Sequence, residues 1–162
     1  MFKKFIFLSI VLFSVSSAQA EIQVYVEIPG IPGESTATGN VGEIIALGAG
    51  GNFSKKSCGG FFIEKQLDLA TPLLISSAIT GRVFTSITID YIEHPAGPRL
   101  LLATTTLNGA TLYSVETSTI DDSRPTELVT IMSNDITVEY NLYDDTGAFL
   151  GMVTENVVCS KK

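Results

Sequence analysis

The sequence lacks tryptophan, has one histidine, His94, and holds only two cysteines, Cys58 and Cys159. A single imidazole gives no pair for a histidine-based zinc site, and His94 precedes Pro95 in an apparent turn, where a solvated ring is expected rather than a triad base. Positive charge is scarce: ten basic residues stand against seventeen acidic ones, a formal charge of −7. A chain of that sign repels phosphate backbones, which excludes nucleic acid as a partner. Long apolar runs are also missing. The apolar stretch at residues 5–15 is eleven residues long, short of the roughly 20 that cross a bilayer as a helix.

That short run is flanked by Lys3 and Lys4 on one side and by Ala18-Gln19-Ala20 on the other, the three parts of a secretory signal. Residues 1–20 are therefore expected to be a leader removed before Glu21, leaving residues 21–162 as the working chain, secreted or periplasmic, with no membrane contact after cleavage. The residue directly after the cleavage site is Glu21 rather than cysteine, which argues against lipid attachment. Without the two leader lysines the basic count falls to 10 − 2 = 8 and the charge to 8 − 17 = −9. The remaining length suits one domain with a sizeable core. In an oxidising compartment Cys58 and Cys159 are expected to join within the chain, a bridge between molecules or two separate thiols being the alternatives.

What is abundant is alternation. Segments 21–28, 42–47, 61–67, 83–92, 99–107, 111–117, 127–143 and 150–159 alternate apolar with polar residues or are rich in β-branched ones, which predicts six or more strands. Asn108-Gly109 tolerates positive φ and predicts a two-residue hairpin turn between two of them. His94-Pro95-Ala96-Gly97-Pro98 and Asp144-Asp145-Thr146-Gly147 predict further turns. One segment differs: residues 71–81 have a capping hydroxyl at Thr71, Pro72 at the first helical position, apolar Leu74, Ile75 and Ala78, and a closing Gly81. They predict a short helix on the side of a sheet.

Catalytic constellations are weak. Asp121-Asp122, Asp144-Asp145, Glu34 and Glu43 are the candidate carboxylates, and all but Glu43 fall in predicted turns, where acids commonly bond their own backbone. Asp144-Asp145-Thr146-Gly147 lacks the spacing and distal glutamate of a calcium loop. Gly48-Ala49-Gly50-Gly51 and Gly59-Gly60 lack the Lys-Ser/Thr of a phosphate cradle and read as flexible loop. Asn52-Phe53-Ser54 fits the glycosylation triplet but is taken as chance. No catalytic residue, metal or cofactor is expected.

Three stretches taken in order resemble the haemolysin-coregulated protein (Hcp) family of type VI secretion systems. They are Val26-Glu27-Ile28-Pro29-Gly30-Ile31-Pro32-Gly33-Glu34-Ser35 with Gly42-Glu43-Ile44; Asp68-Leu69-Ala70-Thr71-Pro72-Leu73-Leu74; and Arg124-Pro125-Thr126-Glu127 leading to Val138-Glu139-Tyr140. The resemblance implies a mainly β fold, a compact barrel of two packed antiparallel sheets with one short helix, whose copies form hexameric rings that stack into tubes and carry effector proteins. Its implied partners are five further copies, effector cargo and secretion-apparatus proteins. It places two turns at subunit contacts: Glu34, Ser35, Thr36, Ala37, Thr38, Gly39 and Asn40, and Arg124, Pro125, Thr126 and Glu127. The leader and the cysteine pair depart from the family pattern, as does Gly48-Ala49-Gly50-Gly51 where the family has aromatic positions. The function expected is thus an exported ring- or tube-forming protein or effector carrier. A monomeric periplasmic or secreted binding module on the same fold is the alternative, and a carboxylate-dependent hydrolase ranks third.

Overall fold

The computed structural model describes residues 21–54, 60–94, 98–119 and 124–159. In chain order the elements are β1 (Glu21–Glu27), β2 (Ile44–Ala46), β3 (Gly48–Gly51), β4 (Phe61–Gln66), α1 (Thr71–Thr80), β5 (Val83–His94), β6 (Leu100–Ser118), β7 (Thr126–Met132), β8 (Asp135–Tyr143) and β9 (Phe149–Val158). The mainly β class with one short helix is as expected. The strands form a single antiparallel sheet of nine rather than two separate ones, in the order β2-β1-β5-β6-β7-β4-β3, with β8 paired to β6 and β9 paired to β8. The two ends of that path, β2 and β3, are successive parts of one extended segment. Leu47 between them donates its N–H to Glu64 O at 2.7 Å, so the sheet curls about its core until its ends meet in sequence.

Period-two alternation decides which residues fill that core. In β4, Phe61, Ile63 and Lys65 point inward while Phe62, Glu64 and Gln66 face out. Val24 and Val26 of β1, Ile44 of β2, Ile87 and Ile89 of β5, Leu107 of β6, Val129 and Ile131 of β7 and Ile136 of β8 complete the buried layer. Leu74 is the one large side chain that α1 buries fully.

Three local expectations change. Asn108-Gly109 is no hairpin: β6 runs unbroken for 19 residues through it. The reason is long-range pairing, because β5 lines the strand through the Asn-Gly step, from Val83↔Thr111 to Glu93↔Leu100. On its other edge β6 pairs first with β8, Ala103 to Asn108, and then with β7, Thr111 to Ser118. Gly109, at φ 57°, supplies the bend where the partner changes, as glycine does at sheet corners. Ser133, between β7 and β8, locks the corner by donating its hydroxyl to Asn108 O at 2.6 Å. The reversal instead falls between Ser118 and Thr126, partly outside the described residues.

The glycine run is the second change. Residues 48–51 are strand β3, not flexible loop, because neighbouring rings lie over them. A methyl at Gly50 would sit 2.8 Å from the Phe62 ring, and one at Gly51 would sit 2.9 Å from both Phe53 and Phe61. The third concerns α1, which ends at Gly81 in the left-handed conformation (φ 63°), as predicted, but begins without a side-chain cap. Thr71 Oγ1 accepts from Asp68 N at 3.1 Å and donates to Glu127 Oε1 at 3.0 Å instead. Ile75, expected on the packed face, is 38% exposed.

Candidate assembly interface

The two turns singled out in the sequence come together. The first begins at Gly33, whose N–H donates to Gly42 O at 2.8 Å, and is cross-braced by Ser35 N to Glu43 O (3.0 Å) and Gly42 N to Ser35 O (2.8 Å). Asn40 holds its closing end: its amide donates to Glu43 Oε2 at 2.8 Å, and its Oδ1 accepts from Arg99. From the second turn, Arg124 donates to Leu67 O at 2.8 Å and to Gln66 Oε1 at 3.4 Å, and lies 3.8 Å from Glu34. Glu34 in turn accepts from Leu69 N at 3.2 Å. Glu34, Ile45, Leu47, Gln66, Asp68 and Arg124 line a shallow hollow of about 110 Å³ between the turns.

Not every residue of the two turns can meet a neighbour. Ser35 and Asn40 are 3% exposed and Glu127 is 1% exposed; they serve the subunit's own fold, which corrects the expectation for these three. Glu34, Thr36, Thr38, Gly39 and Arg124 are exposed, while Ala37, Pro125 and Thr126 are half-buried. The candidate carboxylates Asp121 and Asp122 lie outside the described residues. Among the described ones, Glu34 is the carboxylate beside Arg124.

Behind the hollow is a buried ionic cluster that the strand pattern alone did not reveal. Lys65 of β4 and Glu127 of β7 are direct cross-strand partners, both at inward positions. Their side chains are fully buried and meet at 2.7 Å. Lys65 also reaches Asp68 at 2.7 Å and Gln66 O at 2.8 Å. Asp68 accepts from Ala70 N at 2.8 Å, so the cluster ties β4, β7 and the entry to α1 in one place. Among the described residues Glu127 Oε2 is buried with no hydrogen-bond partner. The available signal was the pairing of inward lysine and glutamate at alternate positions among apolar residues.

Burial raises the Glu43 carboxyl above the ordinary range; Asn40 opposes this by hydrogen bonding, Asp90 and Glu27 reinforce it by repulsion, and Arg99 opposes it. With the folded value above the unfolded one, the folded chain holds the extra proton, so stability falls as pH rises between the two. Glu43→Gln is therefore expected to equal the unaltered chain at acid pH and to gain relative stability as pH climbs through the carboxylate range. Unfolding midpoints measured across that range check this; a parallel pH dependence for both proteins would refute it.

Among the described residues the remaining candidate carboxylates stand apart from one another. Asp144 closes the β8–β9 turn, accepting from Thr146 Oγ1 at 2.6 Å, Thr146 N at 2.8 Å and Ala148 N at 2.9 Å. These bonds, the Thr146 hydroxyl first, hold its carboxyl below the usual range. Among the described residues no three His, Cys, Asp or Glu side chains form a metal-ligating group. His94 is half-buried at the end of β5, opposite Glu21, rather than in a solvated turn.

The other conspicuous surface is the β8–β9 hairpin. Among the described residues β9 pairs only with β8, and Phe149, Leu150, Met152, Val153, Val157 and Val158 on it are each 46% or more exposed. An open, apolar edge strand is a template for another chain.

Fold and surfaces together define a mainly β protein with two neighbouring turns and an exposed apolar hairpin. The chain belongs to the family described as type VI secretion system effector, Hcp, whose model matches residues 25–140. Its fold is similar to that of Hcp1 from Salmonella typhimurium (TM-score 0.75, 21% identity, covering 85% of this chain and 94% of that one). It is also similar to a type VI secretion system effector from Yersinia pestis (TM-score 0.72, 21% identity, 83% and 98% covered) and to the secreted protein Hcp3 from Pseudomonas aeruginosa (0.68, 16%, 87% and 100%). No curated protein matches the chain.

Proposed function

We propose that this chain is an exported Hcp subunit that assembles with copies of itself into hexameric rings, as tube or effector carrier of a type VI secretion system, and that it works by binding rather than catalysis. The observation that carries the reading is the β8–β9 hairpin, whose apolar residues and open edge have no cover within the described residues. A cavity fit for a small substrate would have favoured the enzyme reading. The hollow lined by Glu27 to Pro32 and Val41 to Glu43, about 400 Å³, is instead an open one.

The export route rests on the leader pattern at residues 1–20. The Cys58–Cys159 bridge belongs to the same reading. Cys58 lies outside the described residues, yet two ladders run toward Asn134: β4–β7, which starts at Phe61↔Ile131, and β8–β9, which ends at Asp135↔Val158. Cys159 N donates to Asn134 O at 2.7 Å, and no described cysteine is a free thiol. Closing that long loop contributes about 2–4 kcal/mol.

Mass spectrometry of protein recovered from the periplasm tests these points together. Under native conditions six-subunit rings are expected, and a strict monomer at all micromolar concentrations would favour the binding module. The denatured mass should begin at Glu21 and resist alkylation until reduced; two alkylated thiols before reduction would remove the bridge.

Arg124→Ala separates the contact role of its turn from a folding role. Arg124 is 53% exposed and its ion pair with Glu34 is long, so its loss should cost folding only about 0–1 kcal/mol. If the turn is desolvated at a subunit contact, assembly weakens by roughly 2–5 kcal/mol. A clearly lowered melting temperature with unchanged assembly would assign the residue to the monomer's fold.

A further inference from the structure

We infer that the outer stripe of α1 and the inner face of the β8–β9 hairpin are two halves of one contact, the helix of one copy lying on the hairpin of the next. The inference rests on the self-assembly proposed above and names the surfaces that make it. Directly paired residues of antiparallel strands share a face. On β8 that face starts inside the core at Ile136, continues through Val138, and emerges at Tyr140 and Leu142, which are 50% and 44% exposed. Opposite them on β9 stand Val157, paired with Ile136, and Val153, paired with Tyr140, at 46% and 55% exposed. The core face thus runs on past the core.

The helix carries the complementary irregularity. Pro72, Ile75 and Ile79 fall at i, i+3 and i+7, one side of a helix, and all three are exposed, Ile79 at 81%. Residues 71–80 include no charged side chain. That absence decides the partner. Two copies of a chain with seventeen acidic and ten basic residues repel one another across most of their surface, and meet at least cost where carboxylates are few. The hairpin face has one, Glu155, between Val153 and Val157, and the helix brings none against it. The dimensions also agree: ten helical residues span about 15 Å and ten strand residues about 33 Å, so the helix fits along the hairpin. Because the two surfaces differ, the contact is heterologous, the kind that closes into rings.

Ile79→Asp and Val153→Asp each spoil one half. In native mass spectrometry, at concentrations where the unaltered chain is fully assembled, each variant alone should be monomeric. An equimolar mixture should recover one-to-one heterodimers, since each variant retains the half the other lacks, but no rings. Rings that survive either substitution would overturn the inference while leaving the assembly reading standing. Homodimers of either variant alone would also overturn it, since they require helix-on-helix or hairpin-on-hairpin contact. An unaltered chain that is itself monomeric would overturn the assembly reading and this inference together. If an acidic variant lowers the melting temperature, Ile79→Ser and Val153→Thr repeat the test with milder polarity and the same expected pattern.

Discussion

Replacing Glu127 with alanine is expected to destabilise the domain by about 3–5 kcal/mol, the cost of leaving a buried charge without its partner. Among the described residues Lys65 would remain fully buried with Asp68 as its only acidic contact, and Thr71 would lose the acceptor of its hydroxyl. For a chain of this size, a fall in melting temperature on the order of 10 °C follows. The pair need not be stabilising in total, since Glu127 Oε2 is already unsatisfied, and burying an orphaned acceptor costs about 1–3 kcal/mol. Lys65→Met combined with Glu127→Leu should therefore recover most of the loss, as apolar replacements of buried ion pairs often do. Thermal and urea unfolding of the single and double variants measure both effects. A single-variant loss below about 1 kcal/mol would mean that Lys65 finds solvent or another partner.

The second large effect is expected at Gly33, where a methyl group has nowhere to go. A Cβ there would lie 2.1 Å from Glu43 O, 2.3 Å from Glu43 C and 2.3 Å from Ile44 N. All three are backbone atoms at the entry to β2, so no side-chain rotation relieves the overlap. Gly33→Ala is expected to cost about 3 kcal/mol, the upper end of ordinary overpacking, and to lift the 34–43 turn off the sheet. Gly42→Ala is the informative control. Gly42 has φ 79° with nothing within 4 Å of its missing Cβ, so only the left-handed backbone strain of about 1–2 kcal/mol applies. If the two variants melt together, the close approach of Gly33 to residues 43–44 is not the controlling constraint.

How legible these features were from residues alone varies with the range of the interaction. The 34–40 turn and the Arg124 turn were marked by their motifs, but nothing local says that Arg124 reaches Leu67 and Glu34 across the sheet. Glu127 was placed at a contact because the resemblance puts the Arg124-Pro125-Thr126-Glu127 turn there. The register of β4 against β7, set by residues more than sixty positions apart, turns it inward onto Lys65. The hairpin edge was visible only as one more alternating segment, 150–159, since an edge strand and a central strand can carry the same pattern.

By itself the sequence determined the alternation that makes β4, β5 and β7 strands with one buried face, and it determined the end of α1 at Gly81. It also determined the β8–β9 turn at Asp144 and Gly147, because alternation, left-handed glycine and self-bonding aspartate act within a few residues. Only the tertiary structure decided that Asn108-Gly109 bends a continuous strand instead of reversing it, and that Gly48 to Gly51 are strand rather than loop. Asn-Gly permits a turn but does not impose one, and glycines extend or coil with little local preference. The choice fell to β5, whose ladder with β6 spans the bend, and to the rings of Phe53, Phe61 and Phe62, which close over the glycines from the side.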